Sequence, residues 1–397
     1  MSEGVANAGA VEAMEATDIA IIGAGPLGMA LALALADTSL RVVLIDSGAR
    51  SDWSADPRAL ALAYGSRQLL ERLGAWNSGA ATAIGQIHVS QRGGFGRTLI
   101  DARDYQMPAL GYVMRYRDLA AALAARIPAQ QRLDRCTVEA IGEVGEGGTG
   151  GESVMLKLMH NGVARRLSAR LIVHAEGTPA SGAGITVRDY HQHAIVAEVR
   201  AANGHRQRAW ERFTPDGPLA LLPLGDAYAL VLTVPTDKAA RWLALDDAGF
   251  LAALAEQFGE RVDFLRCGPR ASYPLALRSR AQVSGRRQAW IGNNAQTLHP
   301  VSGQGFNLGL RDAWQLGEAV AKAADPGAAA LLAAYARGRQ VDRQSSMAFT
   351  DAIVRLFSND LPPLRTARGL GLLALDLFPP LRHFVAKRMI WGARAWP

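Results

Sequence analysis

Only two cysteines, Cys136 and Cys267, occur in 397 residues, and they form no C-x-x-C pair. That scarcity excludes a disulfide scaffold or a zinc cluster and fits a reducing compartment. Long apolar runs are missing too. Nowhere do about 18 apolar residues pass without a charge, so no helix is expected to span a bilayer. The 43 Lys and Arg outnumber the 36 Asp and Glu for a net charge of +7, yet they are scattered. No run is long enough for a nucleic-acid arm, which leaves a soluble Arg-rich surface or one that meets an anionic partner or membrane. With 20% charged and 49% apolar residues, global disorder is excluded. Residues 1–17 lack a basic segment followed by an apolar one and read as a disordered leader rather than a signal peptide. No fixed-period repeat, catalytic triad or carboxylate pair is visible.

What is present begins at Asp18. A short apolar strand to Ile22 leads into Gly23-Ala24-Gly25-Pro26-Leu27-Gly28, then a helix over 29–36 and a second buried strand from Arg41 to Asp46. This βαβ unit carries a dinucleotide fingerprint. Gly23 permits the tight turn, Gly25 lets backbone approach a pyrophosphate, and Gly28 lets helix and strand pack closely. The helix N-terminus then faces the phosphates, and Asp46 is placed to accept from a ribose hydroxyl. A helix is predicted from Asp56-Pro57 to Leu73. Strands and Gly-rich turns follow over 80–113, a helix from Arg117 to Ala125, and a hairpin turning at Asn161-Gly162. Strands dominate 182–285, with helices near 237–258. A last buried strand at 288–292 precedes a loop and a helix from Gln304; residues 328–357 read as helical.

The second informative stretch runs Trp290-Ile-Gly292-Asn293-Asn294-Ala-Gln-Thr-Leu-His299-Pro300-Val-Ser-Gly303-Gln304-Gly305-Phe306-Asn307-Leu-Gly309. A strand end there delivers Asn293, and a Gly-rich turn lays the backbone N–H groups of Phe306 and Asn307 at a helix N-terminus. Such donors stabilise negative charge on a bound group. This segment resembles the second FAD motif of the para-hydroxybenzoate hydroxylase superfamily, and within it the ubiquinone-biosynthesis hydroxylases. Asp56-x-Arg58-Ala-Leu-Ala-Leu, Ile87-His88-Val-Ser, Ala109-Leu-Gly-Tyr-Val113 and Arg368-Gly369-Leu-Gly-Leu-Leu-Ala-Leu-Asp376 are similar to the same branch, so the likeness covers nearly the whole chain.

The resemblance implies an α/β fold: a Rossmann-type FAD-binding domain with an inserted β-rich substrate domain and C-terminal helices. The expected division is 18–80, 110–180 and 286–350 for the FAD domain, 81–109 and 181–285 for the substrate domain, and 351–397 for a helical segment. It implies FAD as cofactor, NAD(P)H and O2 as co-substrates, and hydroxylation of a polyprenylated phenol through a flavin C4a-hydroperoxide. The branch it is most similar to converts 2-polyprenyl-6-methoxyphenol to the 1,4-benzoquinol. Hydroxylation at another ring position or of a soluble phenol, and a non-catalytic flavin-fold binding protein, remain the alternatives.

Carried onto this chain, the resemblance puts Arg58 near the FAD pyrophosphate, where a bidentate donor suits. Glu176-Gly177 stands at an Asp-Gly motif associated with FAD and NAD(P)H. Asn293, where most of the superfamily has Asp, is expected at the ribityl chain. Gly303, Gln304, Gly305, Phe306 and Asn307 are expected along the isoalloxazine. Arg115, Tyr116 and Arg117 all compete for one flavin-facing position. His299 and Pro300 fall nearest the reaction centre, His299 as proton donor or as wall. His191 and His193 lack a third ligand of suitable spacing and read as strand residues rather than a metal site.

In residues 351–397, seven basic side chains face three acidic ones, a net +4, among apolar runs and Trp391. Interfacial helices and a helical cap both fit. With a polyprenyl substrate, the resemblance implies a cytoplasmic protein held peripherally at the inner membrane, in company with other ubiquinone-biosynthesis proteins.

Overall fold

The computed structural model describes residues 15–49, 52–147, 151–259, 261–357 and 362–392. Most of the expected leader lies outside them, but Glu15–Thr17 do not: the first strand is Glu15–Ile22. It starts three residues before Asp18 because Glu15, Ala16 and Thr17 pair with Leu167, Ser168 and Ala169. This strand is central to a parallel sheet, with Val163–His174 on one side and Val42–Ile45 on the other. Gln288–Trp290 joins Val163–His174 in parallel, and Arg132–Leu133 joins Val42–Ile45. Strands covered on both faces read as continuous apolar runs, and Ile19, Ala20 and Ile21 are fully buried.

Helices Pro26–Ala34, Tyr116–Ala124 and Gln304–Ala321 contribute to the larger core on one face. The first begins at Pro26 because proline presets φ and loses no needed donor in a first turn. An antiparallel flap, Cys136–Gly147 and Gly151–His160, covers part of the opposite face. Its expected hairpin is present, with Asn161 at φ 50° and Gly162 at φ 81°, the signs a two-residue turn of this hand requires.

The helix expected from Asp56 is replaced by a strand, Ala59–Ala63, followed by a helix, Tyr64–Arg72. Asp56 spends its carboxylate on the N–H and side chain of Arg58 rather than on a helix end. Ala59–Ala63 then pairs antiparallel with Gly111–Arg115, a tertiary partner that overrides the helix preference of Ala and Leu.

A nine-stranded sheet forms the second layer. Its order is Gln296–Thr297, Ala271–Arg280, Ile185–Ala201, Ala227–Pro235, Gly217–Leu224, Arg208–Thr214, Gln86–Gln91, Arg97–Asp101; Phe264–Cys267 joins off this path. Thus residues 86–101 and 185–280 share one sheet although some 80 residues of the other layer separate them. Helices Thr236–Ala244 and Asp247–Phe258 pack on its outer face through Trp242, Phe250, Leu254 and Phe258. Its inner face looks toward the glycine-rich turns.

Helix Ala329–Phe357 returns across the assembly and carries a buried polar network. Arg339, with no exposed surface, donates through Nε to Asp312 at 2.6 Å and pairs with Asp342 at 2.9 Å. Asp312 also accepts from the Gly292 N–H at 3.2 Å and from Gln296 Nε2 at 2.7 Å. Arg343 donates to Gln296 Oε1 at 2.6 Å and to the carbonyls of Arg280 and Ala295. Removing the central cation would leave the buried Asp312 carboxylate without that cation and Asp342 paired with Arg311. Arg339→Met is therefore expected to cost about 3–5 kcal/mol of folding free energy. Urea unfolding measures it, and a loss below about 1 kcal/mol, the scale of a surface pair, would contradict the network's role.

Candidate active site

A cleft of about 1080 Å³ opens between the two glycine-rich turns and the inner face of the nine-stranded sheet. Gly23 adopts φ +101°, and a Cβ there would lie 2.6 Å from Ala175 C and Glu176 N. At Gly28 a Cβ would sit 1.9 Å from the Gly23 carbonyl oxygen, so both glycines are required by the protein itself. Gly25 differs. Its φ of −70° suits any residue, and a Cβ would meet only the Tyr116 hydroxyl at 3.5 Å. The space Gly25 keeps open is the cleft's.

Asp46 lines the cleft while its carboxylate accepts the Ala24 N–H at 2.6 Å and the Gly48 N–H at 2.8 Å. It fixes the turn as well as facing the expected ribose. Ala24 itself is buried behind the turn. Arg58 reaches the cleft wall, paired with Asp56 and lying 4.7 Å from the Tyr116 ring centre. Of the three competing residues, Tyr116 lines the cleft. Arg115 is drawn off to Glu198 by two bonds of 2.7 Å, and Arg117 turns toward Asp118. Glu176 lines the cleft and bonds His174 Nδ1 at 3.1 Å; the His174 ring stacks on Trp290.

The second turn is set against the first. A Cβ on Gly292 would strike Leu27 Cδ1 at 2.2 Å, and one on Gly309 would strike the same atom at 2.5 Å. Leu27, from the middle of the first fingerprint, therefore plugs a hole that only two glycines of the second can form. Asn293 lines the cleft, its carbonyl accepting from Thr297 Oγ1. Gly303, Gly305 and Phe306 also line it, and nothing lies within 4 Å of a Cβ on Gly305. The glycine start of helix Gln304–Ala321 is thus open to a flat occupant, with first-turn N–H groups left for it to meet.

Two of the expected residues send their side chains elsewhere. Gln304 sends its side chain away from the cleft, to the Met389 carbonyl at 3.1 Å. Asn307 is buried beneath the turn: it accepts from the Ala63 N–H at 2.8 Å and donates to Ala61 and Gly303 carbonyls. An amide able to give and take at once suits the joint between strand 59–63 and the helix start. Its side chain props the site from behind.

His299 is 1% exposed. Nδ1 accepts the Val301 N–H at 3.1 Å, which leaves the proton on Nε2, where no partner among the described residues meets it. Burial pushes its pKa down to about 4, so at neutral pH the ring is an uncharged N–H donor. Pro300 lines the cleft and also a second cavity of about 290 Å³. That cavity is walled by the sheet's inner face and by helices Ala329–Phe357, Pro362–Leu377 and Pro379–Trp391, through side chains such as Phe349, Leu372 and Val385. Ala61, Leu222, Val231 and Gly303 also belong to both spaces. Sequence reasoning did not find this cavity, although alternation along strands 209–213 and 218–222 held the signal. His193 bonds Ser272, and His191 is exposed. Among the described residues no three His, Cys, Asp or Glu converge as metal ligands.

The residues present fit FAD: an open helix start at Gly305, a turn kept clear at Gly25, and polar side chains at Asn293 and His299 in the cleft lining. Gly25→Val should fold but bind FAD at least tenfold more weakly, since the added methyls meet the pyrophosphate rather than protein. Flavin absorbance of the purified variant, with its melting temperature, measures this; a stoichiometrically yellow protein would remove the turn from the cofactor site.

Comparison with known proteins agrees. The FAD binding domain family matches residues 16–350. The chain is 35% identical to the ubiquinone hydroxylase UbiL of Rhodospirillum rubrum, covering 96% of this chain and 91% of that one. It is 30% identical to the 3-demethoxyubiquinol 3-hydroxylase of Escherichia coli over 91% and 95%. Among solved structures, the p-nitrophenol 4-monooxygenase PnpA of Pseudomonas putida superposes with a TM-score of 0.75 at 17% identity, covering 96% of this chain and all of that one. The chain belongs to the FAD-binding family of ubiquinone-biosynthesis hydroxylases, within the para-hydroxybenzoate hydroxylase-like superfamily, and is an FAD-dependent monooxygenase.

Proposed function

We propose that this monooxygenase hydroxylates the ring of a polyprenylated phenol during ubiquinone biosynthesis, with 2-polyprenyl-6-methoxyphenol as the substrate. The observation that carries the reading is the second cavity. It is apolar on nearly every side, it shares Pro300 with the cofactor cleft, and it runs beneath the C-terminal helices. A small polar phenol gains nothing from such length. A ring bearing an isoprenoid tail does, at roughly 25 cal/mol for each Å² of apolar surface removed from water.

FAD in the cleft supplies the redox chemistry, taking electrons from NAD(P)H and activating O2. The chain's own groups have a narrower task. Gly303 and Gly305 admit the flavin edge, and the N–H groups of Phe306 and Asn307 give its pyrimidine side a preorganised place for negative charge. Asn293 offers an acceptor and a donor to a ribityl hydroxyl. His299, held neutral, donates from Nε2 without adding a charge to the site. Pro300 and the apolar wall behind it keep water from the reacting face. Arg58, Asp46 and Glu176 serve the adenosine and pyrophosphate portion.

NAD(P)H oxidation by the purified enzyme is expected to be slow alone and several-fold faster with a short-chain 2-prenyl-6-methoxyphenol. With ¹⁸O2 the hydroxylated product should carry one labelled ring oxygen by mass spectrometry. Equal oxidation rates with and without any phenol would overturn the assignment. Faster turnover of a tail-less phenol would favour the soluble-phenol reading, and product analysis would expose a different ring position.

We further propose that helices Pro362–Leu377 and Pro379–Trp391 rest on a membrane surface. Their inner faces supply Leu372, Leu375, Val385 and Met389 to the apolar cavity. Their outer faces expose Leu370, Leu377, Phe378, Leu381 and Phe384. No helix among the described residues is long and apolar enough to cross a membrane. A peripheral seat would pass the tail from lipid to cavity and could bring other ubiquinone-biosynthesis proteins alongside. Replacing Leu377, Phe378 and Phe384 by Ser should abolish co-sedimentation with anionic phospholipid vesicles while leaving turnover of a short-chain substrate intact. Undiminished sedimentation would refute this seat.

A further inference from the structure

The apolar cavity contains a carboxyl group that the reaction as described does not use. Along strand Arg208–Thr214, Ala209, Glu211 and Phe213 line the cavity; Trp210 also borders it while packing against the outer-helix cluster, and Arg212 donates to the Gln257 carbonyl. In register across the sheet, Thr98, Val89, Glu211, Ala220 and Val231 form one row, and all five line the cavity. An acid thus occupies the middle of an apolar row where the pleat calls for Val or Leu.

Among the described residues no group answers it. Glu211 Oε1 is sealed from solvent and has no hydrogen-bond partner. Burial pushes its carboxyl well above the usual carboxylate range, and no cation among the described residues opposes that. Arg382 also lines the cavity, but its Nη1 donates to the Asp376 carbonyl and its Nη2 lies 3.9 Å from Asp104, while its Nε, like Glu211 Oε1, has no partner among the described residues. A buried polar group left unpaired is costly. The simplest molecule that would pair it is one that enters the cavity.

We propose that Glu211 is the residue that recognises the oxygen substituents of the substrate ring. A neutral carboxyl has one O–H donor and one free acceptor. A phenol flanked by a methoxy group has the complementary set: its hydroxyl donates to the Glu211 carbonyl oxygen, and its ether oxygen accepts from the Glu211 O–H. Val231, at the end of the same row, also lines the cofactor cleft. Two strand spacings, roughly 10 Å, separate it from Glu211. The ring is thereby tied at its oxygenated edge while the opposite edge is turned toward the flavin. Thr98, whose buried hydroxyl likewise has no partner among the described residues, lies along the same row as a further donor. Glu211 is thus a specificity and positioning residue. The inference rests on the hydroxylase reading and names the feature of the substrate that the site selects.

The test is binding of two probes to oxidised holoenzyme, followed by the change in flavin absorbance: 2-geranyl-6-methoxyphenol, and geranylbenzene, which has the tail and no oxygen. Glu211→Leu should retain FAD, bind geranylbenzene as wild type does, and bind the methoxyphenol at least tenfold more weakly. Glu211→Gln, which keeps one donor and one acceptor, should stay within about threefold of wild type for both, the scale of a minor hydrogen-bond adjustment. Equal methoxyphenol affinity in Glu211→Leu, or parallel loss of both probes, overturns the proposal. If Glu211→Leu fails to hold FAD, wild type decides it: methylating the probe's hydroxyl should cost tenfold or more, and no discrimination refutes the role. Wild-type enzyme that binds and turns over the methoxyphenol while Glu211→Leu matches it sinks this inference alone. Wild-type enzyme that binds neither probe sinks the substrate reading first.

Discussion

The pairing of Arg339 with Asp312, 2.6 Å apart and closed to solvent, underlies the geometry of the whole site. Asp312 belongs to the helix that starts at Gln304, and its other oxygen holds the Gly292 N–H and the Gln296 amide. One carboxylate therefore ties the end of strand Gln288–Trp290, the loop after it and the helix that closes the site. The loop between carries Asn293, His299 and Pro300. Such a pair is worth little as net stability against an apolar replacement. Its value is directional, because the Asp312 carboxylate that Arg339 holds also fixes the Gly292 N–H and the Gln296 amide at the two ends of the turn.

From that fixed loop the site divides into two environments. On one side lies the large cleft, bounded by backbone N–H groups, Asp46, Arg58 and Glu176. On the other lies the apolar cavity, reached across Pro300 and Gly303. The division suits a reaction in which a charged cofactor and a greasy ring must meet at one edge with water kept out. The C-terminal helices complete the apolar side: Ile390 and Ala386 pack beside Ile100 and Leu110, and the Trp391 ring sits edge-on to Tyr64.

Much of the cofactor side was legible in the sequence because glycine is informative where backbone must come close. Gly23, Gly28, Gly292 and Gly309 are each required by an atom within 3 Å of a would-be Cβ, and Gly25 by none. The last pattern is what distinguishes a ligand-facing glycine. Strand 59–63 was misread because Ala and Leu favour helix locally, and only the partner strand 111–115 decides otherwise. Arg339 and Arg343 passed unnoticed because they lie in a stretch, Arg337 to Arg343, whose charge looks solvent-facing. Their burial depends on acceptors some 27 to 63 residues away. The motif places Gln304 and Asn307 at the helix start, but it does not show that their side chains turn to the Met389 carbonyl and to strand 59–63.

The central claim is that ring and flavin meet at Pro300, with the tail lying beneath the C-terminal helices. A crystal structure of the oxidised enzyme with FAD and a short-chain prenylated methoxyphenol measures this most directly. The account predicts ring density in van der Waals contact with the flavin beside Pro300, and tail density between Leu372 and Val385. Ring density outside the 290 Å³ cavity, or a tail leaving through the large cleft, would contradict it.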